Sequence, residues 1–194
     1  SLRCGNTRFS VLMATINLVP NGSISNDWTL SAFGAAHSML ASDHTGNTGS
    51  AHNHLYDNTA GTKCVIEFED FSESFSSIDS VQAVTRSHVP GRGNSFQIGV
   101  TILDGSSGTF YSQETISQGA NAPSSGYRTQ TFTSRTTSDG SSAWTNTNIN
   151  NLRMEIELTA VGGGNNKQFC HCYFIVTYTE PVATDNSVFF GTNF

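Results

Sequence analysis

Two pairs of carboxylates and a group of histidines are the residues of this chain whose types and spacing could do chemistry. Glu155 and Glu157 alternate with apolar residues between Leu152 and Leu158, and Glu67 and Glu69 do so between Lys63 and Glu69. Side chains two residues apart on a strand share a face. Two carboxylates on the concave sheet of a β-sandwich are what a glycosidase needs for its acid and its base or nucleophile. Here the neighbouring outward aromatics are few and Arg153 stands in the same row, so a solvated charged face is the preferred reading. His52 and His54 flank one residue, with His37 and His44 nearby, and a metal site is conceivable there. No matching Cys or carboxylate pattern accompanies them, which favours loop histidines that hydrogen-bond. His171 separates Cys170 from Cys172 and points to the opposite face, so this triplet cannot chelate one ion from one side of a regular strand. The chain has no G-x-S-x-G elbow and no Walker or dinucleotide fingerprint. Asp104-Gly105-Ser106-Ser107-Gly108 lacks the ligand spacing of an EF-hand and reads as a turn. The expectation is a protein without catalytic residues, metal ligands or cofactors.

The elements that would carry these residues are strands. Leu152, Met154, Ile156 and Leu158 form one apolar face against Arg153, Glu155 and Glu157 on the other, the period-two pattern of a half-buried strand. Cys64, Ile66 and Phe68 repeat it, as do Phe96, Ile98, Val100 and Ile102. Further strands are expected at Met13–Val19, Trp28–Phe33, His54–Tyr56, Ser77–Val89 (with a bulge where its period shifts), Thr109–Ile116 and Tyr127–Arg135. Pro20-Asn21-Gly22 is expected to turn the chain, and Gly34–Ser42 to form a helical turn or a loop. Asp43–Asn53 reads as a long loop. A strap from Trp144 leads through Ile149-Asn150-Asn151 into Leu152. Phe169–Tyr178 is apolar on both faces, as a central strand would be, and Pro181 ends it. Eight to ten strands with almost no helix signal predict an all-β, antiparallel β-sandwich, jelly-roll-like, with extended terminal arms. Residues 1–12 are assigned to an N-terminal extension or arm, because Met13 resembles a start of translation. Residues 13–180 are assigned to the sandwich and 181–194 to a C-terminal arm.

Composition limits the function classes. Only 12% of the 194 residues are charged and the net charge is −6, with Lys63 and Lys167 the two lysines. No basic stripe of a nucleic-acid binder is visible. No apolar run has the length of a membrane-spanning helix. Thirteen Phe, five Tyr and two Trp supply enough apolar area for a core rather than for disorder. Of the cysteines, Cys64, Cys170 and Cys172 are expected as buried free thiols, with a Cys64 disulfide to one of the others left open. The tail is unusual in placing Val188, Phe189, Phe190 and Phe194 among polar residues beyond the last strand. It either packs back or docks on a neighbour.

One stretch carries a pattern with a known likeness. It begins at Ser77-Ile78-Asp79-Ser80-Val81 and continues through Ser95–Leu103 to Ala143-Trp144-Thr145. It then runs from Ile149-Asn150-Asn151 through Leu152–Leu158 to the strand ending Val176-Thr177-Tyr178. Residues 63–178 so read resemble the jelly-roll-like β-sandwich virion proteins of tailed bacteriophages, among them capsid decoration (cement) proteins and tail or fibre domains. The resemblance implies a mechanical role as a homotrimer at a symmetry axis on the outer capsid, bridging neighbouring major capsid protein subunits. Terminal segments would then make the contacts, through Phe9, Val11, Ile16 and Leu18 at one end and Val188, Phe189, Phe190 and Phe194 at the other. The alternative is a carbohydrate-binding tail or fibre domain, in which Trp28, Tyr56, Tyr111 or Tyr127 would stack on sugars. A secreted polysaccharide-active enzyme using Glu155 or Glu157 is the third and weakest reading.

Overall fold

Eleven strands and two one-turn helices make up the described part of the chain. The structure is a computed structural model and describes residues 12–31, 34–41, 54–88, 95–105, 108–118 and 127–182. In chain order the elements are β1 (Met13–Leu18), β2 (Pro20–Asn26), β3 (Thr29–Leu30), α1 (Ala36–Leu40), β4 (Leu55–Asp57), β5 (Lys63–Phe68), β6 (Ser77–His88), β7 (Ser95–Asp104), β8 (Gly108–Gln118), β9 (Arg128–Thr131), α2 (Asn146–Asn150), β10 (Leu152–Gly162) and β11 (Lys167–Thr179). They form two antiparallel sheets. One has the order β3-β4-β11-β6-β9, with β1 also on β11; the other is β2-β5-β10-β7-β8.

Four nested pairs define the topology: β4 with β11, β5 with β10, β6 with β9, and β7 with β8. A long hairpin of β4–β7 against β8–β11, wound so that successive pairs fall in alternate sheets, is a jelly roll. The strands β1, β2 and β3 are additions at its rim. The all-β sandwich expected from periodicity is therefore present.

Alternation builds the core. Ile66, Phe68, Ile98, Val100, Met154, Ile156 and Leu158 line the inner face of the five-stranded sheet, and Val81, Ala83, Phe174 and Val176 that of the other; all are buried. Phe68 and Phe174 meet edge to face at 4.7 Å between ring centroids, a favoured aromatic geometry. The bulge expected in β6 is found where its register against β11 shifts, between Thr177 and Tyr178.

Two local expectations fail, and a third gains a detail that the sequence reading lacked. The turn expected at Pro20-Asn21-Gly22 is the start of β2, which lies at a sheet edge; Pro can open an edge strand because it owes the ladder no N–H there. The strand expected at Trp28–Phe33 is only Thr29–Leu30, and residues 32–33 lie outside the described residues. The strap after Trp144 contains α2. Its start is a capping box in which Thr145 Oγ1 accepts from Asn148 N at 3.2 Å and Asn148 Oδ1 accepts from Thr145 N at 3.0 Å. An amide in place of the usual Glu or Gln at that position hides the signature. The expected loop at Asp43–Asn53 lies outside the described residues.

Met154→Ala and Ile156→Ala should each lower the free energy of unfolding by about 2–5 kcal/mol. Thr145→Ala should lower it by about 1 kcal/mol. Urea midpoints at constant m-value would measure all three.

Candidate functional site

The outer face of the five-stranded sheet gathers the acids that alternation exposes. Register sets Glu155 opposite Val65 and Glu157 opposite Lys63. Lys63 Nζ lies 3.2 Å from both Glu155 Oε1 and Glu157 Oε2. Gln113, which folds over the bare backbone of Gly99, donates to Glu157 Oε2 at 2.6 Å. Arg153 is bonded to Glu67 through Nε at 3.1 Å and also through Nη2. Glu69 turns instead to the backbone, accepting from Val19 N at 3.3 Å. Glu67, Glu155 and Glu157 are thus engaged in a cross-strand ladder. Hydrogen bonds to Glu155 and then Glu157 raise the Lys63 pKa.

The opposite outer face holds a groove of about 320 Å³ bounded by Asn17, Ala41, Arg86, Thr129, His171 and Tyr173. Arg86 stands in register with both Thr129 and His171, so a guanidinium and an imidazole share one cross-strand row. His171 Nδ1 is 3.0 Å from the carbonyl of Leu40 at the end of α1. This hydrogen bond joins the helix to β11 between the stretches of β11 that pair with β4 and β1. A cationic, hydroxyl- and amide-lined groove of this size can hold a small polar ligand such as a sugar. Sequence reasoning placed none of these residues together, because their proximity depends on the bulge between Phe169 and His171 and on long-range register.

A third location is the end where the chain enters and leaves the sandwich. Met13 pairs with Thr179, and Glu180 N donates to Leu12 O at 2.9 Å. Leu12, Met13 and Val182 are 59%, 63% and 43% exposed beside this seam. The segments 1–11 and 183–194 are therefore joined to the domain at neighbouring points flanked by apolar side chains.

The residues named from sequence are distributed as follows. Phe9, Val11, Val188, Phe189, Phe190 and Phe194 lie outside the described residues. Leu18 is buried in the core and Ile16 packs against it, because β1 lies beside β11 in the same sheet and turns Ile16 and Leu18 toward the core. Trp28 is buried edge to face on Phe169, at 5.0 Å between centroids, and offers no stacking surface. Tyr56 is half-buried beside His54 on the short strand β4. Tyr111 packs under Arg135, whose guanidinium carbon is 4.4 Å from the ring centroid, while its hydroxyl donates to Thr137 O at 2.5 Å. Tyr127 is half-buried beside His88 and donates to Gln168 Oε1 at 3.3 Å; burial pushes its pKa up to about 12. These four aromatics do not converge on one surface.

His37 Nδ1 is 3.0 Å from Ser23 Oγ, and His44 and His52 lie outside the described residues. Among the described residues no three His, Cys, Asp or Glu side chains come together as a metal site requires. Cys64, Cys170 and Cys172 are buried thiols, with no disulfide among them. Burial pushes the Cys64 and Cys172 thiols well above the usual range. No family model and no curated protein matches the chain.

Two outcomes follow from this chemistry. Thiol reagents should leave Cys64, Cys170 and Cys172 unmodified in the native protein and label all three after unfolding, as peptide mass spectrometry would record. Lys63→Met should cost less than about 1 kcal/mol, because the pair is partly exposed. That small stabilisation is complete below the ordinary lysine value of 10.5 and is lost as pH rises beyond it, through the raised folded-state pKa. Urea unfolding of both proteins at pH 8 and at higher pH would test the sign.

Proposed function

We propose that this protein is a non-catalytic structural component of a virion, a capsid decoration (cement) protein that bridges neighbouring major capsid protein subunits on the outer surface. The pairing of the start of β1 with the end of β11 carries the reading. Both tails are attached at one end of a rigid sandwich, next to exposed Leu12, Met13 and Val182, so two segments can reach one junction together. Contacts of this kind gain strength from repetition on a lattice, and a homotrimer would set three such ends around an axis. The ladder from Glu67 and Arg153 to Lys63, Glu155 and Glu157 supports the same reading, because its carboxylates are engaged by neighbouring cations on a water-compatible face. The resemblance of residues 63–178 to phage virion sandwiches supplies the biological setting.

A second reading, a carbohydrate-binding tail or fibre domain for host attachment, draws on the groove at Arg86, His171 and Tyr173. Sugar contact would then fall to Tyr173 and Arg86 rather than to Trp28.

Deletion of residues 182–194 should leave the β-sheet circular dichroism intact and abolish binding to undecorated particles. Sedimentation with particles measures it, and normal incorporation of the truncated chain would refute the decoration reading. Tyr173→Ala should leave particle binding unchanged; loss of glycan-array binding in that variant would favour the second reading instead.

A further inference from the structure

The groove on the outer face of the six-stranded sheet is built on one cross-strand row. Thr129 of β9, Arg86 of β6 and His171 of β11 stand in register across three neighbouring strands. Tyr173 lies two residues beyond His171 on the same strand and shares its face. Asn17 of β1 borders the groove from the edge of β11 opposite to β6.

These residues offer different contacts. Arg86 carries the one formal charge among the described lining residues, on a chain whose net charge is −6. A guanidinium is planar and always charged, and its forked donors match the geometry of a carboxylate. Arg86 and Tyr173 are half-buried, so a ligand meets them partly out of water, where electrostatic contacts are stronger. Thr129 and Asn17 are exposed at the rim and present a hydroxyl and a carboxamide, groups that can both donate to and accept from sugar hydroxyls.

Tyr173 is braced by its neighbour. His171 Nδ1 donates to Leu40 O at 3.0 Å, since a carbonyl can only accept. That bond orients the imidazole, and the His171 and Tyr173 rings meet at 5.0 Å between centroids with a tilt of 44°. A tyrosine held in this way supplies a large, rigid contact area at low entropic cost.

We propose that the groove binds a carboxylate-bearing sugar of the uronic-acid class, with Arg86 on the carboxylate and Tyr173 against the sugar ring. The inference rests on the reading of this groove as a carbohydrate site and adds the class of sugar. A volume of about 320 Å³ is at the small end of ligand sites, which suits one or two sugar units. A neutral sugar gives the guanidinium no charge-assisted contact, and a small carboxylate such as acetate leaves the Tyr173 ring uncovered. Selectivity therefore requires both parts of the ligand.

Isothermal titration of the full chain with glucuronate, glucose and acetate tests this. Glucuronate should bind, glucose at least about tenfold more weakly, and acetate not measurably at the same concentrations. Added salt should weaken glucuronate and leave glucose unchanged. Both comparisons use the wild-type chain and hold whether or not a variant folds. Arg86→Gln should bring glucuronate down to the level of glucose, and Tyr173→Ala should weaken both sugars. Equal affinity for glucuronate and glucose would overturn the acidic class and leave the carbohydrate reading standing. Acetate binding as tightly as glucuronate would also overturn it, since the groove would then be a plain anion site. Absence of binding by either sugar would remove the inference and the carbohydrate reading together.

Discussion

The strand β11 is the constraint on which the rest of the sandwich depends. Its thirteen residues pair with β6 along one edge, and with β4 and then β1 along the other. A strand bonded on both edges and packed on both faces must be apolar almost throughout, and Phe169–Tyr178 meets that demand with buried or half-buried side chains at every position. The bulge between Phe169 and His171 lets one strand serve two neighbours. Phe169 remains in the core beneath Trp28, whereas His171 turns outward to hold the end of α1. The groove, the anchoring of the helix and the seating of β1 all follow from that local shift.

The second sheet is organised around β10 in a complementary way. Its inner side chains share one buried core with those of β11 and β6, and its outer ones are matched in charge by β5. The placement of Lys63 between Glu155 and Glu157 explains how a chain with net charge −6 and two lysines can run acids side by side on a flat sheet. One cation bridges two carboxylates, and Gln113 supplies a further donor. Such partly exposed pairs add little to stability. Their effect is to satisfy a surface that would otherwise repel itself.

Much of the architecture was legible in the sequence because alternation is a local signal. Leu152–Leu158, Lys63–Phe68 and Ser95–Leu103 announce their inner and outer faces within seven residues or so, and the structure places each as read. The jelly-roll order was less legible, since the pairing of β4 with β11 or β6 with β9 joins residues far apart in sequence. Misreadings concentrate at the rim. Pro20 and Gly22 looked like a turn because they carry turn chemistry, yet an edge strand tolerates both residues. Trp28 looked available for stacking because its flanks are polar, yet Phe169 and the core claim its ring. The residues of the groove are set by register and by a bulge, which no short-range pattern encodes.

The adjacency of the start of β1 and the end of β11 also determines how the sandwich would bear load. Because β1 begins where β11 finishes, tension that draws the tails apart would peel the β1–β11 ladder open one rung after another, the weakest direction for a hydrogen-bonded pair. Tension applied to both tails in the same sense would instead be shared across the whole ladder and passed to β6. A fastening built this way holds when its two tethers share an anchor, and comes undone from one corner when they are pulled toward different ones.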